Sequence, residues 1–296
     1  MGGWTTWILA SAVFLALYDL AKKASVRNNA VLPVLLCSTF FGCLAFVAGL
    51  AASGGLGKAF AAIDGRVIAL SAAKSLIVST SWIFTFCALR SLPITIATPI
   101  RASAPALVFV LAVALYGEVP TWTQAVGMVA VFGGYWAFSW AGKAEGIDFF
   151  RNRAVWCAVA GAFFSALSSV WDKYVFQVAA APVESVQLLF QVGLFLVYAL
   201  CLSVTRVAGA FRRSSAPAFA WRWTIPCVGI LLAAADWLYF RGLAIPDVPI
   251  SVGSLLRRFS VVITFVIGAW LFHEANLRRK AVALGAILFG VVLLCL

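Results

Sequence analysis

The feature that most constrains this chain is a succession of ten apolar runs, each roughly 18–24 residues long, with short polar connections between them. A helix of about 20 apolar residues is as long as the hydrocarbon core of a bilayer is thick. Inside that core each backbone N–H and C=O must find a partner, and an α-helix pairs them within one segment. The sequence therefore predicts an all-α integral membrane protein with ten transmembrane helices.

Charged residues mark the boundaries of the ten predicted spans. The spans are Trp4–Ala21, Ala30–Ala52, Val67–Leu89, Ile94–Tyr116, Thr121–Trp140, Ala154–Phe176, Glu184–Thr205, Trp223–Phe240, Pro249–Phe272 and Leu277–Leu296. Composition agrees with this class, because 11% of the residues are charged, whereas soluble domains have about 25%. A barrel is disfavoured, since its strands would alternate apolar and polar residues.

The residue types that most enzymes need are scarce. There is one histidine, His273, and the seven cysteines have no paired spacing, so neither a metal site nor a disulfide framework is expected. The sequence GGLGK at Gly54–Lys58 lacks two residues of a phosphate-binding loop and is predicted to be a flexible loop. We expect no catalytic residues, no metal, no cofactor and no ATPase partner.

The second half of the chain repeats the first. When Pro93–Gly134 is aligned without gaps on Pro249–Gly290, 11 of 42 positions are identical, against about four expected from composition. The identities include proline, glutamate and the pair Arg101 and Arg257. The halves are predicted to be residues 1–148 and 149–296, with five spans each.

An odd number of spans per half has a topological consequence. The second half must thread the membrane in the opposite sense to the first, so the repeats are inverted and related by a pseudo-two-fold axis in the membrane plane. Transporters use this architecture and bind substrate near the midplane between the repeats.

Several short motifs resemble the drug/metabolite transporter superfamily, in particular its ten-helix EamA type. They are the turn at Ala88–Pro93, the pair Gly117–Glu118 with its counterpart His273–Glu274, and the glycines Gly133, Gly134 and Gly290. The resemblance covers the whole chain and implies a secondary transporter with a central cavity between two five-helix halves. It implies no particular substrate.

Charged side chains inside the apolar runs are the candidate functional residues. At the centre of a helix each costs about 2.5–3.5 kcal/mol to insert, so they should face the bundle interior or water. The predicted substrate-binding residues are Arg101, Arg257, Arg258, Lys74, Trp82 and Trp237, and the predicted coupling or substrate-amine residues are Asp19, Asp172 and Asp236. Guanidinium groups favour carboxylate or phosphate, with which they form bidentate pairs.

Each candidate also has a structural interpretation. Asp19 and Asp172 lie near span ends, where they could pair with Lys22 and Lys173. The side chains of Arg257 and Arg258 could extend to the membrane surface, and the tryptophans could belong to interfacial belts. Lys74 and Asp236 could form a buried structural pair between the third and eighth spans.

The net charge of +12 lies mainly in the connections. The odd-numbered connections carry fourteen Lys and Arg residues and the even-numbered ones four, so the positive-inside rule predicts cytoplasmic odd connections and external termini. The family resemblance implies the opposite orientation. Anionic lipid headgroups account for the basic charge, and no nucleic-acid partner is expected.

These observations predict a secondary active transporter, an exporter, that moves a small polar organic metabolite carrying a carboxylate or phosphate by alternating access between the two repeats. The expected location is a bacterial inner (plasma) membrane, in contact with membrane lipids. Two alternatives remain open: a flippase of a phosphate-containing lipid-linked headgroup, and a non-transporting membrane scaffold.

Overall fold

The structure is a computed structural model that describes residues 3–102, 104, 107, 121–143, 151–207, 217–243, 257, 259–273 and 277–294. Every regular element in these ranges is helical. The helices are α1 (Gly3–Val26), α2 (Val31–Ala52), α3 (Leu56–Ala61), α4 (Gly65–Ser91), α5 (Ile94–Ala102), α6 (Trp122–Lys143), α7 (Arg153–Lys173), α8 (Val183–Val207), α9 (Thr224–Leu243), α10 (Phe259–Leu271) and α11 (Leu277–Leu294). A π-helical turn, Tyr174–Val178, continues α7.

Six of the described helices are long and apolar enough to cross a membrane. The segments of membrane-spanning length are Trp4–Val26, Val31–Ala52, Gly65–Ser91, Arg153–Phe176, Val183–Thr205 and Thr224–Gly242. The fourth runs from α7 into the π-helical turn, and α10 is a shorter apolar helix. The predicted class is confirmed for the described residues: the protein is an all-helical, multi-pass membrane protein. Each of the ten predicted runs contains a described helix, although most of the second half of the fourth run lies outside the described residues.

Local sequence explains how α3 and α4 begin. The loop predicted at Gly54–Lys58 is short, because α3 already begins at Leu56. Gly54 has φ +68°, a backbone conformation that glycine adopts without steric cost. Asp64 caps α4, since its side chain accepts a 2.7 Å hydrogen bond from the backbone N–H of Val67.

Helices α6 and α11 pack against each other in opposite directions. A Cβ atom added at Gly134 would lie 2.9 Å from the carbonyl oxygen of Ala283, and one added at Gly290 would lie 2.5 Å from that of Gly127. Residue numbers rise along α11 as they fall along α6, so the pair is antiparallel. The two glycines allow the backbones to approach this closely.

Two further antiparallel pairs, α1 with α9 and α4 with α7, form much of the bundle. Two hydrogen bonds, far apart along the helices, connect the members of each pair. Between α1 and α9, Ser11 Oγ donates to the Ala235 carbonyl (2.7 Å) and Ser25 Oγ donates to Thr224 Oγ1 (2.7 Å). Between α4 and α7, Ser81 Oγ donates to the Gly161 carbonyl (2.7 Å) and Trp171 Nε1 donates to the Leu70 carbonyl (3.1 Å). Helices α2 and α8 pack between these pairs, α2 on α9 and α8 on α4, while α5 packs on α7 and α10. One apolar core cluster runs through both halves of the chain.

Candidate functional site

Four ionisable side chains meet in the interior as two acid–base pairs. We call them the four-charge cluster: Lys74, Asp172, Asp236 and Arg257. The ammonium of Lys74 on α4 lies 2.6 Å from Oδ1 of Asp172 on α7. The guanidinium of Arg257 lies 2.5 Å from Oδ1 of Asp236 on α9. Lys74 therefore pairs with Asp172, and not with Asp236 as the structural interpretation of the sequence suggested.

Aromatic rings lie against both cations of the four-charge cluster. The Lys74 ammonium lies 4.9 Å from the ring centre of Phe190, 5.0 Å from that of Phe240 and 5.3 Å from that of Phe176. The Arg257 guanidinium lies 4.2 Å from the ring centre of Tyr239. Such contacts are attractive, because the face of an aromatic ring is electronegative.

The two ion pairs are close enough to influence each other. The Asp172 carboxylate interacts electrostatically with Asp236 and Arg257 as well as with Lys74. Two cations and two anions give the cluster a net formal charge of zero. A bound substrate must therefore exchange with an existing ion pair or use donors that the pairs leave over.

Arg257 has such a donor. Its terminal nitrogen Nη2 contacts Asp236, whereas its Nε is buried and has no hydrogen-bond partner in the part of the chain that the structure describes. The side chains of Asp172, Arg257 and Asp236 are 30%, 20% and 13% exposed, while that of Lys74 is 4% exposed. Three of the four side chains are therefore partly exposed, and that of Lys74 is enclosed.

A second charged group lies at the opposite end of α4. The ammonium of Lys22 is 2.7 Å from Oδ1 of Asp19, as the structural interpretation of Asp19 predicted, and 4.3 Å from the ring centre of Tyr18. The neighbouring Lys23 donates to the carbonyls of Leu89 and Leu92, at 2.7 and 2.5 Å. Leu89 is 15 residues beyond Lys74, or about 22 Å along the helix.

The remaining predicted residues do not join the four-charge cluster in the described structure. Arg101 lies on α5, but its side chain is outside what the structure describes, and Arg258 is outside the described residues. Trp82 is half-buried near Tyr18, with ring centres 6.4 Å apart. Trp237 packs edge-on against Trp7 at 5.9 Å, in a different apolar cluster from the core.

Two buried amides, Gln187 and Gln191 on α8, are not among the predicted site residues. Gln187 is 1% exposed and Gln191 is 2% exposed. The sequence does carry a signal for them, because two amides four residues apart in an otherwise apolar run share one face of a helix. That face could be assigned to the interior only once the neighbours of α8 were known.

Comparisons with known proteins agree with the resemblance predicted from the sequence. Residues 3–140 match the model of the family described as "EamA-like transporter family". A solved structure described as "Crystal structure of protein" has the same fold, with a TM-score of 0.63 at 20% identity over 98% of this chain and 95% of that chain. No curated protein matches the chain. The resemblance to the drug/metabolite transporter superfamily is confirmed by the family match, which covers residues 3–140.

Proposed function

We propose that the protein is a secondary active transporter that exports a small polar organic metabolite carrying a carboxylate or phosphate. The observation that carries this proposal is the four-charge cluster, in which Lys74 from the first half pairs with Asp172 from the second. Buried ion pairs add little net stability, because desolvation offsets much of their attraction. Inside transmembrane helices they mark substrate and ion pathways.

The pattern of helix contacts supports two inverted repeats, residues 1–148 and 149–296. Exchanging the halves converts the α1–α9 pair into α7–α4, and α2–α9 into α8–α4, and all four pairs occur. The α6–α11 pair converts into itself. Its two members are antiparallel, as the corresponding spans of inverted repeats must be.

The glycines of the α6–α11 pair support the same symmetry residue by residue. Gly134 meets Ala283 and Ile287, and its repeat mate Gly290 meets Gly127 and Val131. The contacts of one glycine are the repeat mates of the contacts of the other, since each pair differs by 156 in number. Alternating access then consists of one half rocking against the other around a central site.

The substrate anion is proposed to bind Arg257 and its repeat mate Arg101. Arg257 keeps a buried Nε donor after pairing with Asp236. An inverted repeat would place the two arginines in opposite halves of the membrane, so that one of them faces the substrate in each access state. Arg258 and Lys74 would add positive charge, and Trp82 and Trp237 would form apolar walls.

The embedded aspartates Asp19, Asp172 and Asp236 are the proposed coupling residues. Protonation of Asp236 would remove the charge that holds Arg257, and protonation of Asp172 would do the same for Lys74. A substrate amine would compete with the proton for the same carboxylates. Such competition is what an exporter driven by proton uptake requires.

The test is flux into proteoliposomes with Arg257→Gln, using glycerol 3-phosphate, gluconate and glutamine as probes. We expect at least a tenfold lower flux of whichever probe the wild-type protein transports, equivalent to about 1.4 kcal/mol for the lost charge-assisted contact. Arg257→Lys should restore part of the flux, because lysine keeps the charge and loses the planar fork. Arg101→Gln should behave like Arg257→Gln.

Arg278→Gln is the matched control, since Arg278 is an exposed arginine at the start of α11. It should transport at the wild-type rate. Wild-type flux in both the Arg257→Gln and the Arg101→Gln variant would make the arginines packing residues. Failure of both variants to insert would make them structural ion-pair members. Absence of flux in the wild-type protein would support a scaffold, and flux that requires a lipid tail on the probe would support a flippase.

A further inference from the structure

Helix α8 carries three side-chain atoms that are buried and lack a hydrogen-bond partner. They are Nε2 and Oε1 of Gln187 and Nε2 of Gln191, and within the described ranges no donor or acceptor pairs with them. The hydroxyl of Ser71 on α4 is in the same condition, at 1% exposure. A buried polar group without a partner costs about 1–3 kcal/mol, so four such atoms in one region call for an explanation.

The two amides point toward the middle of the bundle. Gln187, Gln191, Leu194 and Tyr198 are spaced by four, three and four residues, so they lie on one face of α8. Leu194 and Tyr198 belong to the central apolar core and are 0% exposed. This face of α8 therefore points inward along its whole length. Its apolar side chains pack in the core, whereas its amide groups lack hydrogen-bond partners among the described residues.

The amide face lies beside the four-charge cluster. Phe190, between the two glutamines in sequence, accepts a hydrogen bond from Ser75 and has its ring 4.9 Å from the Lys74 ammonium. Helices α4 and α8 run parallel, because Tyr198 in turn donates to the carbonyl of Ser79. This register sets Ser71 near the level of Gln187.

A primary amide offers two N–H donors and a carbonyl acceptor. Hydroxyl and amide groups complement that set, because they donate and accept as well. An alkyl chain does not, since burial of an alkyl chain against the amides would leave them unpaired. The unpaired atoms thus indicate the chemistry of the uncharged part of a ligand.

We propose that Gln187 and Gln191, together with Ser71, bind the uncharged part of the substrate, and that this part carries hydroxyl or amide groups rather than an alkyl chain. The inference rests on the proposed function, because it treats the four-charge cluster as the subsite for the charged end. It narrows the substrate class to hydroxylated or amide-bearing acids, phosphates or zwitterions. It also argues against a substrate whose lipid tail would lie against these amides.

The test compares matched probes that differ only in these groups. The pairs are glycerol 3-phosphate with propyl phosphate, gluconate with hexanoate, and glutamine with norleucine. Dissociation constants are measured on the purified full-length protein from the rise in melting temperature with probe concentration. For at least one pair, the wild-type protein should bind the polar member roughly tenfold more tightly, as expected for one or two hydrogen bonds.

The variant Gln187→Met/Gln191→Met should bind both members of that pair equally, and its melting temperature without ligand should be unchanged or higher. Leu196→Met, on the exposed face of the same helix, should keep the tenfold preference. Should the double variant fail to fold, Gln191→Asn decides, because it keeps the amide and withdraws it by one methylene. A lowered preference supports the inference, and an unchanged one overturns it.

The remaining outcomes separate this inference from the proposed function. If both members of each pair bind equally while Arg257→Gln weakens both, the amide subsite is wrong and the transporter proposal stands. If the double methionine variant keeps the preference, the amides do not bind the substrate. If no probe raises the melting temperature of the wild-type protein, both proposals fail together.

Discussion

At the scale of single residues, the charges of the four-charge cluster are paired, and so are those of Asp19 and Lys22. The cost of removing one partner measures how deeply its pair is buried. Lys74 is enclosed by Asp172 and three phenylalanine rings. Lys74→Met would keep the volume and leave the Asp172 carboxylate without its cation. We expect a loss of about 3 kcal/mol of stability, because an unpaired buried charge is strongly unfavourable. Thermal unfolding in detergent measures it.

The double variant Lys74→Met/Asp172→Asn removes both charges of the pair. It should recover most of the lost stability, since no uncompensated charge is left. A matched surface pair is available at the end of α9, where Arg241 lies 3.4 Å from Glu184 and the two side chains are 53% and 37% exposed. Arg241→Met should cost less than about 1 kcal/mol. Equal losses at both sites would show that Lys74 is not in a low-dielectric interior.

The identity of the embedded charged residues could be predicted from the sequence, but their partners could not. Asp172 has Lys173 beside it in the chain, yet it pairs with Lys74, which is 98 residues away. The partner of a charged residue depends on which helices are neighbours and on the heights of the two side chains along those helices. The hydropathy pattern predicts neither of them. Asp19 and Lys22 are the exception, because a separation of three residues places them on one helix face.

At the scale of helices, close packing depends on glycine at particular positions. Gly134→Ala would place a Cβ atom 2.5 Å from Cγ1 of Ile287 and 2.9 Å from the backbone oxygen of Ala283. Gly290→Ala would place one 2.5 Å from the backbone oxygen of Gly127. Backbone cannot step aside as a flexible side chain can, so α6 and α11 must separate. Each variant should lose about 1–3 kcal/mol, measured by thermal unfolding.

The same two helices supply the controls. Gly133 and Gly285 have no atom within 4 Å of an added Cβ. Gly133→Ala and Gly285→Ala should therefore be neutral or stabilising, since alanine favours the helix by up to about 1 kcal/mol. Similar losses at Gly134 and Gly290 would agree with the proposed two-fold relation between the halves. A large loss at Gly133 would contradict the packing of α6.

Element boundaries were predictable to a few residues where charges end an apolar run, as at α2, predicted as Ala30–Ala52 and observed as Val31–Ala52. Two features were not. Helix α3 forms in a connection that was predicted to be a flexible loop. The π-helical turn after α7 inserts an extra residue per turn, which no hydrophobic period predicts, and it carries Phe176 to the side of Lys74. Single-turn π segments are frequent at functional sites.

At the scale of the whole molecule, the bundle has an apolar core with charged groups at two places. The core cluster includes residues from both halves, so the halves are packed together rather than joined as separate domains. The four-charge cluster interrupts that core on one side of the bundle, and Asp19 with Lys22 interrupts it toward the other. Asp19 and Asp172, which the proposed inverted repeat makes equivalent, thus belong to different clusters.

Orientation in the membrane is the property on which the charge count and the family resemblance disagree. Arg27 precedes α2 and Lys58 follows it, so the two exposed side chains lie on opposite sides of a helix long enough to span. The odd connections carry fourteen Lys and Arg residues and the even ones four, a bias that favours cytoplasmic Arg27 and external Lys58.

We expect a membrane-impermeant maleimide to label Lys58→Cys in intact cells. Arg27→Cys should be labelled only after permeabilisation, with the parent protein and its seven cysteines treated in parallel. The reverse pattern would mean that the fold of the family sets the orientation against the charge bias, and that the termini are cytoplasmic.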